Sequence, residues 1–108
     1  MKKIAIVADG WRRYINYAWI SGCRQYIKEK KLDAQLYVFY AFGNFSKDEK
    51  YNQGEYNIIT LPDFRQFDGI IVELTNVLKR KYARKIIDTI RTSKVPAVSL
   101  LERIPGLY

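Results

Sequence analysis

The feature that most constrains this chain is a set of short, unbroken apolar runs separated by helix-length segments. Ile4 to Ala8 is closed by Asp9-Gly10, and Ile70 to Leu74 is opened by Asp68-Gly69. Continuous rather than alternating hydrophobicity over about five residues predicts strands buried on both faces, as in a parallel sheet. Leu36 to Phe42 and Val95 to Leu101 behave similarly, the second with Pro96 near its start, where a missing amide hydrogen is tolerated.

The segments between these runs have helical spacing. Ile15, Ala18, Trp19, Gly22, Cys23, Tyr26 and Ile27 recur in alternating steps of three and one, the apolar stripe of an amphipathic helix, which places Trp19 and Tyr26 in the core. Lys28, Lys30 and Lys31 follow, where a helix end favours cations. Gly22 lies inside the stripe. A glycine there costs about 1 kcal/mol against alanine, and it is read as allowing close approach to the sheet or to another helix. A second helix is expected from about Lys47 to Thr60, opened by Ser46-Lys47-Asp48-Glu49 in the form of a capping box and ended by Pro62. Gly54, Ile58, Ile59 and Thr60 weaken it. The third helix carries Tyr82, Ala83, Ile86, Ile87 and Ile90 on one face, with Lys79, Arg80, Lys81, Arg84 and Lys85 around the rest and Asn76 as its cap.

The order β-α-β-α-β-α-β predicts a three-layer α/β/α fold around a parallel, Rossmann-like sheet of four strands or slightly more, with right-handed crossovers. A length of 108 residues allows one domain and one core. Ligands of such sheets bind beyond the carboxyl ends of the strands. That rule selects Asp9 to Tyr14, Phe42 to Phe45, Glu73 to Asn76, and Glu102 to Arg103.

Composition removes most common chemistries. The chain has no His and one Cys, which excludes His-based zinc sites, Ser-His-Asp triads, Cys-His nucleophiles, redox Cys pairs and internal disulfides. The opening apolar run of five residues is too short for a secretory core, which needs roughly 7 to 15, or for a membrane span, which needs roughly 20. With the single Cys23, this gives an expectation of a cytoplasmic protein without membrane contact. The first strand-to-helix turn, Asp9-Gly10-Trp11-Arg12-Arg13-Tyr14, lacks both the dinucleotide fingerprint and the phosphate loop. Glu73 stands where a receiver domain needs its phosphoacceptor Asp, and no nucleophile elbow is present. No catalytic residue, metal or cofactor is expected.

What remains at the strand ends is aromatic and polar. Trp11, Tyr14, Phe42 and Phe45 alternate with Asp9, Arg12, Asn44, Glu73, Asn76, Glu102 and Arg103. Aromatic faces beside carboxylate, amide and guanidinium groups suit a flat, hydroxyl-rich ligand such as a sugar or nucleoside. Trp11 and Tyr14 divide between binding and packing roles, and Phe42 and Phe45 equally fit the task of pinning their loop. Two other classes compete. One is a hydrolase using Asp9, Glu73 and Glu102 as paired carboxylates. The other is a nucleic-acid-binding module using Arg12, Arg13 and the basic residues of the third helix, favoured by the net charge of +8. Those five basic residues wrap around the helix, which fits a solvated surface without nucleic-acid contact.

Four segments together resemble one family. Lys3-Ile4-Ala5-Ile6-Val7-Ala8-Asp9, the helix with Gly22 in its middle, Phe67-Asp68-Gly69-Ile70-Ile71-Val72, and the run from Val95 to Leu107 are similar, in order and spacing, to the sugar-binding domains of lactose-repressor (LacI)/GalR-type regulators. The run Val95-Pro96-Ala97-Val98-Ser99-Leu100-Leu101-Glu102-Arg103-Ile104-Pro105-Gly106-Leu107 carries most of it, resembling the pattern P-V-V-x-I-D-R-x-x-P-G. The resemblance implies that residues 1–108 form one lobe of a type I periplasmic-binding-protein-like domain, with a small polar ligand held against a second lobe that this sequence lacks. It implies sugar contacts by Glu102 and Arg103, further contacts by Asp9, Trp11 and Tyr14, and a homodimer formed near the first helix. Glu102 stands where the pattern favours Asp, a departure that bears on ligand geometry. The family's amino-terminal helix-turn-helix is also absent, and the resemblance extends to sensor domains that precede GGDEF diguanylate cyclase modules.

Overall fold

The computed structural model describes residues 1–10, 13–41, 47–59, 61–75, 77 and 80–108. Four strands and three helices alternate: β1 Lys2–Asp9, α1 Arg13–Glu29, β2 Ala34–Ala41, α2 Glu49–Ile59, β3 Gly69–Glu73, α3 Arg80–Ser93 and β4 Ala97–Ser99. The sheet is wholly parallel with order β2-β1-β3-β4, a Rossmann-like three-layer α/β/α arrangement as the apolar runs predict. β1 begins two residues earlier than its apolar run, because Lys2 and Lys3 pair with Ala34 and Gln35 of β2. β4 is shorter than its run: Pro96 precedes it, and Leu101 takes a left-handed φ of 65° that no strand continues through.

The chain leaves β1 for β2 on one side and then crosses to β3 and β4 on the other. Right-handed crossovers therefore put α1 on one face and α2 with α3 on the opposite face. Burial follows that division. Ala5, Val7, Ile70, Val72 and Ala97 meet Tyr56 and Ile59 of α2 and Tyr82, Ala83, Ile86, Ile87 and Ile90 of α3. All five apolar residues predicted for the inner face of α3 are buried there. On the other face, Ile6, Ala8 and Ile71 meet Trp19 and Ile20 of α1 with Leu36 and Tyr40 of β2. The central strand is sealed from both sides, so Ala5 to Ala8 are completely buried, the reason their run is continuous.

α1 departs from its predicted stripe. Its buried line runs through Asn16 and Ile20, with Cys23 and Ile27 half-buried, whereas Ile15 is 50% exposed and Tyr26 56%. Tyr26 is therefore not a core residue, and Trp19, expected in the core, is half-buried and packs against it. The buried Asn16 explains the rotation: its amide donates to the Asp9 carbonyl at 2.5 Å and accepts from the Trp19 indole at 3.1 Å. Gly22 is not required by the sheet, since a Cβ there would meet no atom within 4 Å.

Two local features carry no periodic signal. One is a single 3₁₀ turn, Phe64–Gln66, in which the Asp63 carboxylate accepts from the Arg65 amide and guanidinium while Phe64 is buried. The other is the segment after β4. Tyr108 donates its amide to Ala97 O at 2.9 Å and accepts from the Ser99 amide at 2.7 Å, a parallel bridge around Val98 that occupies the outer edge of β4. Arg91 of α3 holds that segment by donating twice to Pro105 O, at 2.6 and 3.0 Å.

Candidate ligand site at the strand ends

Strand order reverses between β1 and β3, and in an open parallel sheet this is where a crevice opens at the carboxyl ends. Two carboxylates stand at that point. Asp9 closes β1 completely buried, and Glu73 closes β3 with 2% exposure. Ala8 pairs with Glu73, so the two acids end neighbouring strands one register step apart. Burying a carboxylate is costly without hydrogen-bond donors. The turn after β3 supplies them for Glu73, whose Oε1 accepts from the Thr75 amide at 2.8 Å and from the Thr75 hydroxyl.

The fourth strand brings a third acid to the same end. Arg80, in the first turn of α3, donates to Glu102 Oε1 at 2.5 Å and to the carbonyls of Leu74 and Val77 at 3.2 and 3.3 Å. One guanidinium thus joins the turn after β3, the start of α3 and the segment after β4. The other carboxylate oxygen of Glu102, Oε2, is buried and accepts no hydrogen bond. Arg103 is exposed, and no carboxylate among the described residues pairs with it. Tyr14 is 94% exposed, turned to solvent from the first turn of α1. Trp11, Phe42, Asn44 and Asn76, with Arg12 and Phe45, lie outside the described residues.

A second cluster closes the same end between α2 and α3. The Asp48 carboxylate accepts from the Lys50 amide at the opening of α2, and Ser46 of the expected capping box lies outside the described residues. Glu49 accepts from the Tyr82 hydroxyl and pairs with Lys81 at 3.2 Å. The hydrogen bond to Glu49, then burial and the carboxylate's charge, push the Tyr82 phenol up to about 12. Tyr82 also stacks on Tyr56, with ring centroids 4.7 Å apart.

Sequence reasoning missed Arg80 as a member of the site, grouping it with the basic surface of α3. A signal was present: a cation in the first helical turn opposes the helix dipole and calls for an anionic or carbonyl partner. The basic residues that follow do share a groove. It has a volume of about 700 Å³ and lies between the 3₁₀ turn and α3, lined among others by Phe64, Arg65, Lys81, Arg84, Lys85 and Thr89. Most of its cations are already engaged, Arg65 by Asp63, Lys81 by Glu49 and Lys85 by Asn57. Its size alone does not outweigh the strand ends, where Asp9 and Glu73 close neighbouring strands buried.

Among the described residues no three acids or thiols come together in a way that holds a metal ion, and no helix is long and apolar enough to cross a membrane. The arrangement offers buried carboxylate acceptors at a topological switch point, chemistry that suits ligand hydroxyls. Compared with known proteins, the chain matches no family model, no curated protein and no solved structure.

Proposed function

We propose that this chain is a ligand-sensing lobe: it helps recognise a small, hydroxyl-rich ligand at the carboxyl ends of β1, β3 and β4, and is not itself an enzyme. The observation that carries the reading is the burial of Asp9 and Glu73 at the ends of neighbouring strands where the strand order reverses. Carboxylates placed there accept hydrogen bonds from sugar or ribose hydroxyls, and each hydroxyl satisfied in a dry site adds orientation as well as affinity. The run from Val95 to Leu107 and its likeness to the lactose-repressor/GalR pattern favour the same reading. In this account the lobe belongs to a cytoplasmic regulator, dimeric, in which closure of a second lobe over the ligand shifts a two-state population and drives an attached output, either DNA binding or a GGDEF cyclase.

Arg80 fits the account as a positioning residue. It fixes Glu102 and the carbonyls of Leu74 and Val77 in one frame, so ligand contacts made by the third and fourth strand ends move together. Calorimetry against a panel of neutral sugars and nucleosides, on the 108-residue chain and on the complete two-lobed protein, tests the reading. Binding that barely responds to salt and is lost in Glu73→Gln supports it. Binding of a polyanion that weakens steeply with salt replaces it with the nucleic-acid reading, and turnover of a glycoside or phosphoester replaces it with the hydrolase reading.

A further inference from the structure

α3 turns a line of polar side chains toward the 3₁₀ turn. Lys81, Lys85, Thr89 and Thr92 recur in steps of four, four and three, so one side of the helix carries them, with Arg84 beside Lys85. Pro62, Asp63 and Arg65 form the other wall, and the groove between has a volume of about 700 Å³, inside the range of roughly 300 to 1,000 Å³ that small-molecule sites occupy. Phe64 is buried and anchors that wall in the core it shares with α3. None of Asp9, Glu73 and Glu102 lines the groove, so it stands apart from the strand ends.

Charge in the groove is not balanced. Its lining holds four cations, Arg65, Lys81, Arg84 and Lys85, and two acids, Asp63 and Asp88. Asp63 binds Arg65 at 2.9 Å, Glu49 binds Lys81 at 3.2 Å, and Asp88 turns to Arg91 at 3.3 Å. Lys85 donates to the neutral side-chain carbonyl of Asn57 at 3.2 Å, and Arg84 has no hydrogen bond or ion pair among the described residues. Two adjacent positive charges are thus left without an opposite charge. The helix gains nothing from them: Arg80 with Arg84 and Lys81 with Lys85 are like-charged pairs four residues apart, which oppose helix formation. Neither Arg84 nor Lys85 lies in the last turn, where the helix dipole favours a cation. The hydroxyls give the groove a direction. Thr89 donates to Lys85 O at 2.9 Å and Thr92 to Asp88 O at 2.8 Å, so what both turn outward is lone pairs. The groove therefore offers charged donors at one end and hydroxyl acceptors roughly one to two turns further along α3.

The geometry points to a second binding site in this groove, for a small phosphate monoester that carries hydroxyls, such as a phosphorylated sugar or polyol. A monoester holds a charge of about −1.5 to −2 at pH 7, which matches the two uncompensated cations. The planar fork of Arg84 takes two phosphate oxygens and the Lys85 ammonium a third. The hydroxyls of the ester then fall along Thr89 and Thr92, which accept from them. A neutral ligand would leave the two charges uncompensated, and a long polyanion would meet Asp63 and Asp88 in the same groove, so a single phosphate is the charge that fits. The site is independent of the ligand reading at the strand ends, and either can fail without the other.

Amide chemical shifts of the nitrogen-labelled 108-residue chain, titrated with glucose phosphate, inorganic sulfate and glucose, test it. Saturable shifts are expected with the ester at Arg65, Arg84, Lys85 and Thr89, and none at those positions with glucose. Arg84→Gln and Lys85→Gln should each weaken the ester about tenfold or more, roughly the worth of one hydrogen bond to a charged group, whereas Arg24→Gln, at an exposed cation of α1, should leave it unchanged. Both groove residues are exposed, so circular dichroism of their variants should match the parent. An equal loss in Arg24→Gln, or sulfate bound as tightly as the ester, overturns the site and leaves an adventitious ion only. Absence of saturable shifts overturns it outright. A single-stranded oligonucleotide that binds more tightly than the ester, with shifts that spread to Arg24 and Lys28, overturns it in favour of nucleic acid.

Discussion

Arg80 and Glu102 stand 22 positions apart in the chain and meet at 2.5 Å, the one ion pair among those described that links the start of α3 to the segment after β4. The same guanidinium holds the carbonyls of Leu74 and Val77, so a single side chain frames the ends of two strands. A lysine has neither the fork nor the reach to serve three acceptors at once.

Arg80→Ala should therefore cost stability modestly and order more. Both partners are about a third or more exposed, 41% and 31%, so screening limits the loss in urea unfolding to about 1 kcal/mol. Hydrogen exchange of the amides of Thr75, Val77 and Ile104 should rise clearly, and Arg80→Lys should fail to restore their protection. Unchanged exchange in both variants would remove Arg80 from the frame.

The contact between Glu49 and Tyr82 predicts an alkaline transition. The phenol is held protonated up to about 12 against an ordinary value near 10. A group whose folded pKa is raised contributes its stability fully below the unfolded value and loses it as pH rises through the folded one. Stability should thus decline between about pH 10 and 12, in step with phenolate absorbance. In Glu49→Gln the titration missing from the Tyr82→Phe difference spectrum should move down toward 10.

The unequal covering of the sheet predicts unequal mutational cost. Ile86→Ala, at 1% exposure between α3 and the sheet, should destabilise by about 2 to 5 kcal/mol. Ile15→Ala, at 50% exposure on the open side, should change monomer stability by about 0.5 kcal/mol or less. Chemical denaturation of the two variants checks the contrast.

Asn16 is a buried amide that bonds both the end of β1 and the Trp19 indole. Asn16→Ala should cost about 1 to 3 kcal/mol, because it leaves a buried carbonyl and an indole N–H without that partner. Asn16→Leu should not restore the loss, although leucine suits a helix better and fills the space. Thermal unfolding followed by Trp fluorescence separates these outcomes.

Much of this architecture was legible in the chain because it is periodic. The unbroken runs Ile4–Ala8 and Ile70–Leu74 report strands covered on both faces, and the five apolar residues of α3 report one buried side. α1 was legible as a helix but not in its orientation. Its apolar residues cover two adjacent sides, and the structure buries the side that holds Asn16, a polar residue that periodicity assigns to solvent. Asp9, Glu73 and Glu102 could be placed at strand ends from the β-α-β order alone. Arg80 could not, since its partner is 22 residues away and only the fold brings Glu102 beside it. The shortness of β4 was equally hidden, because the left-handed turn at Leu101 has no glycine to announce it.

The central claim is that the buried acids at the β1–β3 switch point receive ligand hydroxyls. Isothermal titration of the protein with its best-binding neutral sugar or nucleoside, beside Asp9→Asn and Glu73→Gln, tests it most directly. The account predicts that each substitution weakens binding by about tenfold or more, roughly the worth of one hydrogen bond to a charged group, with little dependence on salt. Wild-type affinity in both variants would contradict it.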